Sequence, residues 1–347
     1  MTMLNILFFG SDSESSTSRH RADALRRLGH NVFVLDPILV ASTRNRVQSY
    51  VDYRTGFRLL SNHFLHLLKC FLRQLNTPID IAWIDRGEYL SSMHLNFLRS
   101  ILNCRLLLFN VDDPLGYRDW LRFSGLRRSL PAYDLCVFVR QETSLEALAA
   151  GAQRVLTVNR SYDECYHYRH QISHGVVLDK AVSFIGTNIP GEGRSNFLRL
   201  LIEQNLKLVL YGDRWKSCNQ WQALKASCLG PSLTLSSYSN TINRSYISLG
   251  LLSHRNRDLV TTRSFEIPAS AGLLCAELTS EHQLFLENGV EAIFWSTAQD
   301  CAEQCHYLMG NPLLRDLIAT NGHQAIQTMG VGNEDICRHI LHHLLES

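Results

Sequence analysis

Residues 4–36 read LNILFFGSDSESSTSRHRADALRRLGHNVFVLD, and this stretch decides the fold class. An apolar run ends at Gly10 in a polar loop, and residues 19–28 then carry apolar side chains at helical spacing. Gly29 ends this predicted helix, and a second apolar run follows at 31–36. A strand, a helix and a second strand in this order form a βαβ unit, which implies a parallel sheet.

The same alternation continues along the chain and restarts after a polar stretch that is rich in His and Tyr. A long amphipathic helix is predicted over 55–75. We therefore predict an α/β protein of two doubly wound, Rossmann-like domains, 1–170 and 171–330, which face each other across a cleft. Residues 331–347 are predicted to form a C-terminal helix that packs back toward the first domain. Further strands are predicted at 79–85, 105–110, 135–139, 155–158, 181–186, 206–211, 247–252, 273–276 and 291–295.

Composition argues for an ordinary globular protein. Lys and Arg number 34 and Asp and Glu 32, so the net charge of +2 makes a nucleic-acid binder an unfavoured interpretation. No apolar run approaches the roughly 20 residues needed to span a bilayer. The first residues lack the pattern of a secretory leader. We expect a cytoplasmic protein.

The ten cysteines are scattered and include no CxxC pair, which is typical of buried free thiols in a reducing compartment. Cys301, Cys305 and His306 form the one cluster in the sequence, with the two thiols on one helix face. Because a second pair of ligands is missing, we expect no metal site there.

Residues 258–277 read DLVTTRSFEIPASAGLLCAE and hold the richest chemistry. Thr262 or Ser264 can cap a helix whose first turn contains Glu266. A helix start offers free N–H groups that suit a phosphate. A carboxylate at this place can accept hydrogen bonds from two ribose hydroxyl groups, but Glu266 can equally be a favourable first-turn residue.

The segment 262–269, followed by Gly272 and Glu277, resembles the signature of the CgeB-like glycosyltransferases. That group falls within the class called glycosyl transferases group 1, which has the GT-B fold. The resemblance covers about residues 181–340 and is thinner before them. Further matching positions are Phe184, Gly186, Arg194, Trp215, Phe285, Gly289, Glu291, Tyr307, Leu308, Asn311, Pro312, Arg315, Ile318, Ala319, Asn321 and Gly322.

The resemblance implies a nucleotide-diphosphate sugar as donor substrate, bound to the second domain without a required metal ion. Group 1 enzymes carry two acidic residues separated by seven others. The later one matches Glu266, which would hold the ribose, and the earlier one falls on Asp258, where many members have Glu. Arg263 and Arg214 would bind the diphosphate, or else are surface residues. The remaining residues of the predicted donor site are Thr262, Phe265, Gly186 and Arg194.

Asp112 and Asp113 follow a predicted strand, where a general base for an acceptor hydroxyl group could lie. Asp112 is our candidate catalytic base, together with Asp258 as a second candidate catalytic residue. The alternative is that these residues form a turn before Pro114.

Residues 44–73 combine basic and aromatic side chains, and a second basic stretch follows at 118–128. Such a face suits peripheral contact with the inner face of a membrane, a lipid-linked acceptor or another anionic acceptor. A solvated helix face is the alternative interpretation.

We therefore expect a glycosyltransferase that moves a sugar from a nucleotide-diphosphate sugar to a hydroxyl group of a glycan, lipid-linked or small-molecule acceptor. Three alternatives stay open. They are a sugar-nucleotide epimerase with the GT-B fold, a non-catalytic spore-coat or surface assembly protein on that fold, and a transferase that modifies nucleic acid.

Overall fold

A computed structural model describes residues 2–41, 44–169 and 179–346. The chain divides into two compact units, unit 1 (Met1–Asn159 with Asn333–Ser347) and unit 2 (Arg160–Gly332). The predicted boundary at 170/171 falls outside the described residues. Among the described residues, no helix is both long enough and apolar enough to cross a bilayer.

Strands and helices alternate through both units. The strands are β1 (Asn5–Phe9), β2 (Asn31–Leu35), β3 (Ile81–Asp85), β4 (Arg105–Asn110), β5 (Leu135–Phe138), β6 (Val155–Thr157), β7 (Asp179–Ile185), β8 (Leu208–Tyr211), β9 (Cys228–Gly230), β10 (Ser245–Gly250), β11 (Leu274–Glu277) and β12 (Ile293–Trp295). The α-helices are α1 (Thr17–Arg27), α2 (Ile38–Ala41), α3 (Arg46–Thr55), α4 (Ser61–Leu72), α5 (Ser92–Leu102), α6 (Ser124–Ser129), α7 (Gln141–Ala149), α8 (Arg194–Glu203), α9 (Trp221–Leu224), α10 (Leu235–Arg244), α11 (Arg263–Ala269), α12 (Ser280–Phe285), α13 (Ala298–Gly310), α14 (Pro312–Thr328) and α15 (Asn333–Leu345). Short 3-10 helices lie at Arg58–Leu60, Leu130–Ala132, Trp215–Ser217 and His254–Asn256.

Unit 1 is built on a parallel sheet in the order β2-β1-β3-β4-β5-β6. Successive residues of β1 point to opposite faces. Leu7 and Phe9 join one apolar cluster, and Ile6 and Phe8 join another. Both faces are therefore covered, which explains why the strand is apolar throughout rather than alternating. Helix α15 packs against α1 on the second of these faces.

The single helix predicted over 55–75 is confirmed only over α4 (Ser61–Leu72), because Gly56 and Phe57 interrupt the helical backbone before it. Both have positive φ, +70° and +57°, so α3 ends there and α4 begins only at Ser61. A Cβ atom on Gly56 would lie 2.2 Å from the backbone oxygen of Arg122. The glycine thus permits both the left-handed conformation and a close backbone approach, neither of which the periodicity of the apolar residues reveals.

Unit 2 is built on a second parallel sheet, in the order β12-β11-β10-β7-β8-β9. The strand order reverses between β7 and β10, which are neighbours although they are not consecutive. Ligands of open α/β sheets bind outside the carboxyl ends of the strands at such a reversal. The prediction of an α/β protein with two doubly wound sheets is confirmed.

Candidate functional site

Helix α11 follows the strand β10 at the reversal in unit 2, and a buried histidine fixes its start. Thr262 makes no side-chain capping hydrogen bond to the part of the chain that the structure describes. Ser264 lies inside the helix, and its Oγ accepts from the backbone N of Thr261, which precedes the helix, at 3.2 Å and lies 2.8 Å from Nε2 of His282. The Nδ1 of His282 donates to the backbone oxygen of Glu277 at 2.7 Å.

Burial lowers the pKa of His282 to about 4, so the ring is neutral at physiological pH. A neutral ring that donates from Nδ1 must accept at Nε2. The hydroxyl group of Ser264 is therefore the donor in this pair. The chain Glu277–His282–Ser264 ties the start of α11 to the end of β11.

Glu266 lies inside α11 and is 4% exposed. Its Oε2 accepts a hydrogen bond from the hydroxyl group of Tyr238 at 2.9 Å and from Nη1 of Arg263 at 3.1 Å. Its Oε1 lies 3.6 Å from Nε2 of His167. Because Nδ1 of His167 accepts from the backbone N of Asp163, the neutral ring presents an N–H group to the carboxylate.

Tyr238 is held neutral in this network. Burial, partly offset by Arg263 and reinforced by Glu266, raises the pKa of Tyr238 well above its usual value. The hydroxyl group therefore stays a donor to the carboxylate over the physiological range. His167 packs edge-on against the Tyr238 ring with centroids 5.6 Å apart. Two segments distant in sequence from α11 thus converge on one carboxylate.

Arg263 connects α11 to the carboxyl end of β7. Its Nε donates to the backbone oxygen of Ile185 at 3.1 Å, and its guanidinium group lies over the Tyr238 ring at 5.2 Å. About a third of the side chain, 34%, is exposed. The cation is therefore oriented by protein groups and is still open to solvent beside Glu266.

Asp258 lies in a second buried ionic contact. Its Oδ1 accepts from Nη2 of Arg160 at 2.7 Å, and Nδ2 of Asn256 lies 3.2 Å from the same oxygen. Asp258 is 7% exposed and Arg160 9%. The two carboxylates of the acidic pair therefore have different cationic partners. Asp258 contacts Arg160, whereas Glu266 contacts Arg263.

Two strand-end loops meet through their backbones. The oxygen of Gly186, which follows β7, accepts from Nε1 of Trp215 at 2.9 Å. Gly212, which follows β8, has φ +144°, and a Cβ atom there would lie 2.0 Å from the Gly186 oxygen. Arg214 has φ +63° and its side chain is exposed in the same loop. Only glycine at 212 allows this contact.

Arg194 begins α8, and its guanidinium group binds the loops at the strand reversal. It donates to the backbone oxygens of Thr187 and Leu252 at 2.9 and 2.8 Å, and to the Oγ of Ser253 at 3.0 Å. The side chain is nine-tenths buried. Arg194 therefore positions the loops after β7 and β10. Phe265, the remaining predicted donor-site residue, is buried against Phe285.

A cavity of about 220 Å³ opens at the carboxyl ends of β10, β11 and β12, beside the reversal. Within it, Nε2 of His254 lies 2.7 Å from Oε2 of Glu277, and Nδ1 lies 3.6 Å from Oε2 of Glu192. Phe197 and Trp295 stack on one wall with centroids 4.4 Å apart. The sequence did not indicate Glu192, His254 or Trp295, since all three lie at element ends without periodic neighbours.

Unit 1 surrounds Asp112 with basic residues. Oδ2 of Asp112 lies 3.4 Å from Nη2 of Arg86 and 3.7 Å from Nη2 of Arg122. Glu88 contacts both arginines, because its Oε1 lies 3.3 Å from Nη2 of Arg86 and 2.8 Å from Nη2 of Arg122. Asp113 instead accepts at Oδ1 from the backbone N of Gly116, as expected for a turn-forming residue. Asp112, with 31% of its side chain exposed, is the one of the two that stays accessible.

A groove of about 210 Å³ lies on the basic surface of unit 1. Tyr117 is 95% exposed there and Trp120 50%. The guanidinium group of Arg127 lies 3.4 Å from the centre of the Trp120 ring. Both predicted basic stretches contribute, and the groove is lined by Tyr53, Arg54, Tyr117, Arg118, Asp119, Trp120, Leu121 and Arg122.

Comparison with known proteins agrees with this architecture. Residues 194–331 match the family described as "Glycosyl transferase-like". No curated protein has a significant sequence match to the chain. The fold is similar to that of sucrose-phosphate synthase from Thermosynechococcus elongatus, with a TM-score of 0.69 and 10% identity over 99% of each chain.

Two further solved structures are similar over the whole chain. One is Anabaena HepE in complex with UDP-glucose, with a TM-score of 0.64 and 12% identity over 99% of this chain and 100% of that one. The other is a glycosyltransferase from Rickettsia africae ESF-5, with a TM-score of 0.63 and 11% identity over 100% of this chain and 99% of that one. The chain therefore has the GT-B fold, and its second half matches a glycosyltransferase family.

Proposed function

We propose that this chain is a glycosyltransferase of the CgeB-like type that uses a nucleotide-diphosphate sugar. The observation that carries the proposal is the carboxylate of Glu266, oriented by Tyr238 and Arg263 at the reversal of the unit 2 sheet. The fold similarity to HepE, whose structure contains UDP-glucose, supports a donor of this class.

In the proposed donor complex, Glu266 binds the ribose hydroxyl groups, and Arg263 and Arg214 lie near the diphosphate. A cation near the diphosphate stabilises the negative charge that develops as the bond from the anomeric carbon to the phosphate oxygen breaks. The exposed part of Arg263 and the exposed side chain of Arg214 are available for this role. Arg194 and Gly186 act by positioning the strand-end loops rather than by touching the donor.

The acceptor hydroxyl oxygen forms the new bond to the anomeric carbon, and its proton must pass to a base. We assign Asp112 this role, since 31% of its side chain is exposed. Asp258 then has a positioning role through Arg160. The basic groove of unit 1 would bind an anionic or lipid-linked acceptor, and residues 44–73 would contact the membrane surface. No metal ion is required for these steps, because cationic side chains supply the charge.

The proposal is tested by calorimetric titration of the full chain with UDP and GDP. The substitution Glu266→Gln keeps the size of the side chain but removes its charge, and should weaken nucleotide binding at least tenfold. Glu303→Gln, the same substitution at an exposed residue of α13, is the matched control and should bind nucleotide as the parent protein does. Equal nucleotide affinity of the parent protein and Glu266→Gln would refute the assignment of Glu266.

A second assay separates the catalytic alternatives. The protein is incubated with a panel of nucleotide sugars, with and without candidate acceptors, and products are identified by mass and by chromatography. A transferase consumes the donor faster when an acceptor is present. Isomerisation of the donor alone would indicate an epimerase, and the absence of any nucleotide binding would indicate an assembly protein; either result would overturn the proposed function.

A further inference from the structure

Three buried cysteines of unit 2 bring their sulfur atoms together. Cys275 comes from β11, and Cys301 and Cys305 lie one turn apart on α13. All three Sγ atoms lie within 4.8 Å of one another, and the Sγ atoms of Cys275 and Cys301 are 3.9 Å apart. Each residue is at most 1% exposed. We call these three residues the thiol triad.

From the sequence we expected no metal site, because a second pair of ligands was missing. The fold supplies a further ligand from a distant part of the chain. His306, the third member of the sequence cluster, points away, and its Nε2 lies 2.7 Å from the backbone oxygen of Gln204. Cys275 takes the third place instead, from a strand 26 residues upstream of Cys301. The parallel sheet brings β11 beneath α13, which spacing in the sequence cannot show.

The spacing of the sulfurs suits a three-coordinate soft cation. A metal–sulfur bond is about 2.3 Å long, so three sulfurs around a central ion lie about 4 Å apart. The observed 3.9 Å between Cys275 and Cys301 matches this distance. Thiolates select soft ions such as Cu⁺ over hard ions such as Mg²⁺.

The coordination number favours Cu⁺ over Zn²⁺. Within the described ranges, no fourth His, Cys, Asp or Glu ligand atom joins the thiol triad. Structural Zn²⁺ sites take four ligands. Three sulfur ligands without a fourth therefore suit the soft ion Cu⁺ better than Zn²⁺.

We propose that the thiol triad is a buried binding site for one Cu⁺ ion. Binding needs the thiolate form, so any thiol that becomes a ligand releases its proton to solvent. Because the triad is sealed from solvent, the ion enters during folding or through local opening of the layer that α13 forms. The site is separate from the proposed donor site and does not depend on the transferase assignment.

The test is anaerobic purification of the full chain from cells supplied with copper, followed by metal analysis and competition with a Cu⁺ chelator. We expect one Cu⁺ ion per chain and ultraviolet absorption from thiolate-to-copper charge transfer. Cys305→Ser should abolish both signals. Cys136→Ser, which alters a buried cysteine of unit 1, is the matched control and should bind as the parent does.

X-ray absorption of the copper-loaded parent protein keeps the proposal falsifiable if Cys305→Ser does not fold. We expect three sulfur neighbours and no nitrogen or oxygen neighbour in the first coordination shell. Nitrogen or oxygen neighbours, copper retained by Cys305→Ser to the same extent as by the parent, or Zn²⁺ bound in preference to Cu⁺ would each overturn the assignment.

Discussion

Lowering the pH should reduce the stability of unit 2, because the buried imidazole of His282 becomes protonated. The perturbation is the substitution His282→Asn, studied between pH 7 and pH 4. The asparagine Nδ2 group can keep the hydrogen bond to the backbone oxygen of Glu277, but the shorter side chain places no acceptor at the position of Nε2, so the hydroxyl group of Ser264 loses its partner. At pH 7 we expect a loss of about 1–3 kcal/mol, the usual cost of leaving a buried polar group without its partner.

The pH dependence follows from the lowered pKa. A histidine in the unfolded chain titrates near 6.5, whereas burial lowers the pKa of His282 in the folded state to about 4. The contribution of the neutral ring to stability is therefore fully present above about pH 6.5 and is lost as the pH falls toward 4. A gap of about 2.5 pH units at about 1.4 kcal/mol per unit amounts to about 3.5 kcal/mol, of which about 3 kcal/mol is lost by pH 4.

Hydrogen exchange measured by mass spectrometry reports the opening of residues 261–286 separately from unit 1. After correction for the intrinsic exchange rate, the parent protein should lose about 3 kcal/mol of protection between pH 7 and pH 4, and His282→Asn should lose much less. His342→Asn, on an exposed face of α15, is the control and should follow the parent profile. If protection from exchange fell with pH equally in the parent protein and in His282→Asn, the His282 ring would not be the cause of the acid destabilisation.

Two further substitutions probe the backbone contact and the candidate base. Gly212→Ala forces a Cβ atom to within 2.0 Å of the Gly186 oxygen, so the loops must separate, and we expect calorimetry to show a loss of about 2–4 kcal/mol of stability. Asp112→Asn should lower the transfer rate about a hundredfold or more while leaving donor affinity unchanged. A transfer rate within threefold of the parent would exclude Asp112 as the base.

The two parallel sheets could be predicted because their strands are apolar on both faces. β1 and β4 stand out as continuous apolar runs, and Gly29 ends the helix that follows β1. Helix α10 was missed, since its sequence LSSYSNTINR is rich in residues that favour turns. Tertiary packing overrides that tendency by burying Tyr238 and Ile242 against α11.

The candidate site could be predicted only in part. The motif singled out Glu266, but its partners Tyr238 and His167 lie 28 and 99 residues upstream on segments without a periodic signal. A carboxylate that is only 4% exposed needs hydrogen-bond donors. That requirement predicts that partners exist but does not identify them. Arg194 was predicted at the donor site by resemblance, and the sequence did not indicate its hydrogen bonds to the backbone oxygens of Thr187 and Leu252.

Those loop contacts explain how unit 2 can orient a ligand although α11 is a short helix. Arg263 holds α11 to Ile185, and Arg194 holds the loop after β10 to the loop after β7. The close approach of Gly212 to Gly186 fixes the loop after β8 as well. The ends of three strands are therefore set before any ligand arrives, and a ligand need not supply the free energy to order them. Gly212→Ala should for this reason weaken nucleotide binding as well as stability, although the glycine offers no side chain to a nucleotide.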